Sequence, residues 1–257
     1  MSNITGAFKN KKSLIVFITG GDPNVETTEQ LIPALTEAGA DLIEIGIPFS
    51  DPIAEGPVIQ AASQRALASG TTTDQLFEMV TRVRRNVSIP LLFMTYLNPI
   101  YVYGKERFLM RCRESGIDGI IVPDMPFEEK GELSEECNKF SVDLISMIAP
   151  TSDERIAMIA KEAEGFLYCV SSLGVTGMRS EINAGIAQIV AQAKKFTDIP
   201  CAVGFGISDP VQAKNTAAVS DGVIVGSAIV KIIGEYGTGC IEPVKQFVRA
   251  MKAAIGE

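Results

Sequence analysis

The chain of 257 residues contains no histidine. That zero removes Ser-His and Cys-His nucleophile pairs, the commonest metal ligand, and the side chain most used for proton transfer near neutral pH. Acid-base chemistry is left to carboxylates, lysine, tyrosine or cysteine. Among the carboxylates Glu44 has the least ordinary setting, in the stretch DLIEIGIP at 41–48 with isoleucine on either side. If that stretch is a strand, Leu42, Glu44 and Gly46 share one face while Ile43 and Ile45 share the other, the face that suits an outer helix layer. A carboxylate aimed inward must be paired or protonated, and desolvation raises its pKa toward neutrality, where it can give and take a proton. The structural alternative is a buried glutamate satisfied by a backbone amide or a hydroxyl. Glu55 follows in a segment that reads as loop and should overhang the same strand end, so that the two make a candidate acid-base pair; alone, a loop glutamate is simply solvated.

Other residue types bound the substrate. Gly204-Phe205-Gly206 and Gly226-Ser227 stand at the ends of two late apolar runs, the second opening a short apolar turn at 228–233. Bare amides at a helix start bind phosphate, and glycines also serve tight turns. A run from Ser171 through Thr176 and Gly177 reads as a lid or an ordinary loop. Phe17 on the first strand, Tyr168 on the sixth and Tyr96 just after the third suit either a flat apolar substrate or core packing. No lysine lies between Lys12 and Lys105, and the later ones fall in helical stretches. A Schiff-base aldolase therefore lacks its amine, and a metal aldolase lacks its histidines. What remains is carboxylate-driven chemistry on a phosphorylated substrate with an aromatic part, with no metal.

The elements that must position these residues repeat. Short β-branched runs fitting buried strands occur at 14–18, 42–45, 90–94, 119–122, 144–148, 166–170, 200–203 and 222–225. Helical spacing occupies 25–38, 75–87, 106–114, 128–139, 154–164, 182–196 and 241–255. Eight β-then-α units, without a Ser/Gly-rich linker, predict a single α/β domain over 1–257, a (β/α)8 TIM barrel with its active site at the strand C-termini and a phosphate site after strands seven and eight. A doubly wound open sheet is the runner-up. Asp22 and Asp209, each followed by proline, read as helix N-caps, and Asp51 as either a cap or a functional loop residue. The net charge of −8 without a long basic run disfavours nucleic acid. No apolar run reaches a membrane span and the first twelve residues do not read as a secretory signal, so no membrane is expected and the cytoplasm is. Five scattered cysteines read as reduced packing thiols.

The motifs EIGIPFSDP at 44–52, AEGP at 54–57, GVTG at 174–177, GFGI at 204–207 and GSAIV at 226–230 run in order along nearly the whole chain. Together they closely resemble the tryptophan synthase alpha subunit family. The resemblance implies a (β/α)8 barrel that cleaves indole-3-glycerol phosphate to indole and glyceraldehyde 3-phosphate. It implies no cofactor in this chain and a partner, the pyridoxal-phosphate beta subunit, which receives indole in an α2β2 complex. By position, Glu44 matches the glutamate that protonates indole C3 and helps take the glycerol hydroxyl proton. Glu55 falls where the family usually has an aspartate that stabilises positive charge on the indole nitrogen. Phosphate would rest on amides near Gly177, Phe205, Gly206, Gly226 and Ser227, with Phe17, Tyr96, Tyr168 and Thr176 around the indole and glycerol. Asp51, Pro52, Asn98, Pro99 and Pro126 would face the beta subunit. The chain departs from the family at Glu55, one methylene longer, which requires the carboxylate to retract or the loop to shift by about an ångström. It also departs at Ser172, where many relatives have arginine. The alternative function is an alpha subunit that acts mainly as docking partner and allosteric activator of the beta subunit.

Overall fold

The computed structural model describes residues 3–170, 179–204 and 206–256. Its strands are β1 (Ser13–Thr19), β2 (Leu42–Gly46), β3 (Leu91–Met94), β4 (Gly119–Ile121), β5 (Asp143–Ile145), β6 (Met147–Ile148), β7 (Leu167–Val170), β8 (Cys201–Gly204) and β9 (Gly222–Val225). Every pairing is parallel, in the order β5-β4-β3-β2-β1-β9-β8-β7-β6. The two ends of that order are consecutive in the chain, so the ring closes through the backbone itself. The expected fifth strand at 144–148 is thus one barrel strand divided at Ser146. It divides because the strand changes partner there: Ile145 is paired with Ile121 of β4, Met147 with Tyr168 of β7, and the Ser146 carbonyl accepts from the Tyr168 N–H at 3.0 Å. Strands seven and eight of the sequence pattern are β8 and β9.

The helices are α1 (Asn3–Gly6), α2 (Val25–Glu37), α3 (Pro57–Ala68), α4 (Thr73–Val83), α5 (Leu97–Tyr103), α6 (Lys105–Ser115), α7 (Gly131–Phe140), α8 (Asp153–Lys161), α9 (Arg179–Ala193), α10 (Pro210–Ala217), α11 (Ser227–Tyr236) and α12 (Ile241–Ile255). Their ends follow local chemistry. Asp209 caps α10 as expected, accepting from the Gln212 N–H at 2.9 Å with Pro210 in the first turn. Asp22 does not cap α2. Asn24 does, accepting from the Thr27 N–H at 2.8 Å, because the turn continues two residues beyond Asp22 and takes the Asp22 carboxylate to Arg65 instead. Nor is Asp51 a cap, since α3 starts at Pro57 behind Gly56. The turn expected at 228–233 is a ten-residue helix, α11, whose Ile229, Val230 and Ile233 are buried at helical spacing.

Alternation along the strands divides the core into two layers. Ile15, Leu42, Leu92, Ile121, Ile145, Ala202 and Ile224 fill the barrel, and Ile4 and Phe8 from the N-terminal segment join them. That segment closes the bottom, where Gly119 and Gly222 leave room for Ile4 and Phe8. Ile43, Ile45, Phe93 and Val223 lie instead among the helix-facing residues. Burying each such side chain stabilises the fold by roughly 1.5–3 kcal/mol, so both layers resist a change of register. With the bottom filled, the open end is at the strand C-termini.

Candidate active site

Glu44 lies in the middle of β2, level with Phe17 of β1 and Leu92 of β3, on the inward row with Leu42. It is fully buried, and among the described residues neither carboxylate oxygen has a hydrogen-bond partner. No amide or hydroxyl of those residues makes it a satisfied structural glutamate. Desolvation, with nothing opposing it, raises its pKa from 4.5 to about 8. Tyr168 of β7 stands near enough to feel a Glu44 carboxylate; burial first, and that charge second, hold the phenol well above its ordinary range.

Glycines shape the wall around this carboxyl. A Cβ on Gly204 would stand 2.5 Å from the Tyr168 hydroxyl, and one on Gly46 would stand 2.7 Å from the Phe17 ring. Gly226 approaches the other side of Phe17, with a would-be Cβ at 3.2 Å from the Phe17 Cβ. Phe17, Glu44, Tyr168 and Gly226 therefore come together at one opening. Gly226 is also the N-cap of α11 and offers no capping side chain, so the first amides of the helix, beginning at Ser227, face outward with the dipole behind them. Gly206 is exposed, with φ at +74°, the left-handed turn that glycine permits. Thr176, Gly177 and Phe205, and the Ser171–Leu173 part of the candidate lid, lie outside the described residues.

The loop between β2 and α3 brings Glu55 over the same mouth. Its Oε2 is buried without a partner; burial raises its pKa, opposed by the Tyr96 hydroxyl against it. That hydroxyl also accepts from the Ala54 N–H at 3.0 Å, and the Tyr96 ring packs on Phe49 with centroids 5.5 Å apart. Tyr96 thus holds the Glu55 segment in place. Among the described residues the buried side-chain oxygens without a partner belong to Thr19, Glu44, Glu55 and Thr95. All four residues stand on β2 or at the C-terminal ends and following loop of β1 to β3, so the unmet hydrogen-bonding capacity of the interior is concentrated at this mouth.

Thr19 and Thr95 are not among the residues that sequence reasoning selects. For Thr19 the signal exists: it is two residues beyond Phe17 on the inward row of β1, level with Gly46. Asp124 is a second omission, its two oxygens accepting from the Leu97 N–H at 3.0 and 3.2 Å and so holding the start of α5. At the same end of the barrel Asp51, Asn98 and Pro126 are exposed, Pro52 and Pro99 half-buried. Ile53 and Val102 beside them are large apolar residues, 78% and 81% exposed.

The described helices include none long and apolar enough to cross a membrane. The family profile described as "Tryptophan synthase alpha chain" matches residues 5–255. The tryptophan synthase alpha chain of Lacticaseibacillus casei is 44% identical over 255 residues, covering 99% of this chain and 96% of that one. The crystal structure of tryptophan synthase subunit alpha from Legionella pneumophila superposes with a TM-score of 0.91 at 37% identity, over 99% and 98% of the two chains. A chain of the tryptophan synthase complex from Pyrococcus furiosus does so at 0.85 and 38% identity, over 95% and 98%. A carboxylate-lined barrel mouth, motifs in family order and likeness along the full length lead to one conclusion: the chain belongs to the tryptophan synthase alpha chain family.

Proposed function

We propose that Glu44 and Glu55 divide the work of the alpha reaction, the cleavage of indole-3-glycerol phosphate to indole and glyceraldehyde 3-phosphate, which is the activity of this family. The observation that carries the assignment is the fully buried, unpartnered carboxyl of Glu44 with its pKa near 8. At neutral pH it holds a proton, which it gives to indole C3. The positive charge that then develops on the ring nitrogen needs a nearby anion, and Glu55 supplies it. Glu44, now a carboxylate, takes the proton of the glycerol hydroxyl next to the ring as the carbon-carbon bond breaks. The aldehyde and indole leave, and Glu44 ends as it began. The two carboxyls suit these roles because their surroundings differ: one is sealed in the barrel, the other is half-exposed and touched by a phenol.

Phe17, Tyr96 and Tyr168, with Thr176, flank the indole and glycerol in this reading. The phosphate rests on the amides at Gly206, Gly226 and Ser227, joined by Gly177 and Phe205. Unpartnered oxygen on Glu55 and its contact with Tyr96 support an adapted loop, in which the longer side chain reaches its place by folding back. Asp51, Pro52, Asn98, Pro99 and Pro126 form the face toward the beta subunit, with which the family assembles as α2β2; the pyridoxal phosphate belongs to that partner. Five buried free thiols support a reducing, cytoplasmic setting for one folded domain over 1–257. The test is indole release from indole-3-glycerol phosphate by the chain with beta subunit. Glu44→Gln keeps shape and polarity but cannot deliver the proton, so cleavage should be lost while beta binding persists; wild-type turnover would overturn the assignment.

A further inference from the structure

The Asp22 carboxylate is completely buried, and Arg65 of α3 donates to both of its oxygens, from Nε and from Nη2, at 2.7 Å each. Neither residue belongs to the acid-base machinery, and Asn24 does the capping that Asp22 could have done. A buried carboxylate committed to a two-point grip on one helix has another use. The grip lies where three elements of the site meet. Asp22 closes the turn after β1, the strand that carries Phe17. Arg65 belongs to α3, which begins two residues after Glu55. On the third side is α11, where a Cβ on Gly234 would stand 3.1 Å from Arg65 Nη2.

Most of the other contacts along α3 set its distance from the barrel more than its position along its axis; at its C-terminal end Ser69 Oγ reaches the Gly21 carbonyl at 3.5 Å, the long limit of a hydrogen bond. The inner face of α3 presents Val58, Ile59 and Ala62 to Phe17 and Val230, a smooth apolar contact that sets distance and tolerates sliding. The turn it is tied to is rigid: Gly21 has φ at +81°, a Cβ there would stand 2.1 Å from Thr71 Oγ1, and its N–H donates to Thr28 Oγ1 at 2.9 Å. A planar guanidinium on a carboxylate is directional in a way that apolar packing is not.

We propose that Arg65 and Asp22 are a positioning pair that locks α3 lengthwise against the β1 turn and α11, and thereby sets where the Glu55 carboxylate stands over the barrel mouth. This rests on the charge-stabilising role of Glu55. A misplacement of about an ångström is enough to cost on the order of 100-fold in rate, so a partial loss of the grip is measurable without unfolding.

A double-mutant cycle in the chain–beta-subunit complex, read as kcat and KM for indole-3-glycerol phosphate, tests the pair. Arg65→Lys keeps the charge and loses the fork, and should lower kcat about tenfold with KM within about twofold. Asp22→Asn should do the same; if it fails to fold, Arg65→Lys and Arg65→Gln carry the test, the Arg65 side chain being 37% exposed. In a Glu55→Gln background, which retains the slower cleavage that Glu44 supports, Arg65→Lys should cost less than about twofold, because the group it positions is already disabled. A full tenfold loss in both backgrounds, or no loss of kcat in Arg65→Lys, overturns the positioning pair. Glu55→Gln turning over like wild type overturns the role of Glu55 itself, an outcome that the Glu55→Gln single variant reads separately.

Discussion

An unpaired glutamate in the middle of a barrel destabilises the fold, and Glu44 makes the cost depend on pH. Below about 4.5 both the folded and the unfolded chain hold its proton, and nothing is lost. From there to about 8 the unfolded chain releases the proton while the folded chain keeps it, so stability falls by about 1.4 kcal/mol per pH unit; above 8 both release it and the cost is constant. Glu44→Gln removes the titration. Its stability relative to wild type should therefore rise steadily between those limits, by up to roughly 5 kcal/mol, on top of a pH-independent offset from burying an amide. Urea midpoints at pH 4.5, 6 and 8 measure the slope, and parallel curves for the two proteins would mean that Glu44 does not titrate there. In the proposed mechanism the reaction starts from protonated Glu44, so wild-type kcat/KM should show an alkaline limb near 8. This residue was legible because period-two alternation needs only local sequence: Leu42 and Glu44 face in, Ile43 and Ile45 out. Asp22 was not, because its partner Arg65 is 43 positions away and a cap and a buried ion pair look alike in sequence.

At the scale of elements the outcome turns on how each helix begins. Asp209-Pro210 announces α10, whereas α11 hides behind a β-branched run, Ile229, Val230, Ile232 and Ile233, that reads as a short apolar turn. Tertiary packing decides in favour of helix, since Ile229, Val230 and Ile233 find a common buried face. The break at Ser146 was equally hidden: a change of strand partner leaves no mark on hydrophobic pattern. Gly226 serves two purposes at this scale, clearing space for Phe17 and leaving the first turn of α11 bare. Gly226→Ala adds a Cβ at 3.2 Å from the Phe17 Cβ. The expected result is a KM for indole-3-glycerol phosphate raised on the order of tenfold, with weaker product inhibition by glyceraldehyde 3-phosphate and a smaller change in kcat, because the phosphate is bound alike before and during the reaction. A fall in kcat at unchanged KM would place the phosphate elsewhere.

Over the whole molecule, a barrel filled at the bottom by Ile4 and Phe8 has one open end, and both the chemistry and the expected partner surface share it. Eight βα repeats make that end legible in the sequence; a link between the proposed site and the docking face is not, because it would run through one hydroxyl. Tyr96 is the N-cap residue of α5, and its hydroxyl holds the Ala54 N–H and touches Glu55. The same short helix presents Asn98, Pro99 and the 81%-exposed Val102 to solvent, and Ile53 stands 78% exposed next to Ala54. Apolar side chains this exposed gain most from being covered, roughly 2 kcal/mol each on burial. A beta subunit that covers Ile53 and Val102 therefore fixes α5 and the Glu55 loop together, and Tyr96 passes the constraint to the carboxylate. Val102→Asp should weaken beta affinity, read as the beta-subunit concentration that half-saturates activation of cleavage, because a charge buried at a contact opposes docking. Tyr96→Phe should reduce the activation ratio, the cleavage rate with saturating beta subunit divided by the rate without it, while leaving beta affinity within about twofold, since it cuts the relay and not the contact. If Val102→Asp leaves beta affinity at the wild-type value, α5 is not in the docking face. If Tyr96→Phe leaves the ratio unchanged, docking reaches Glu55 by another route, through Ile53 and the loop alone.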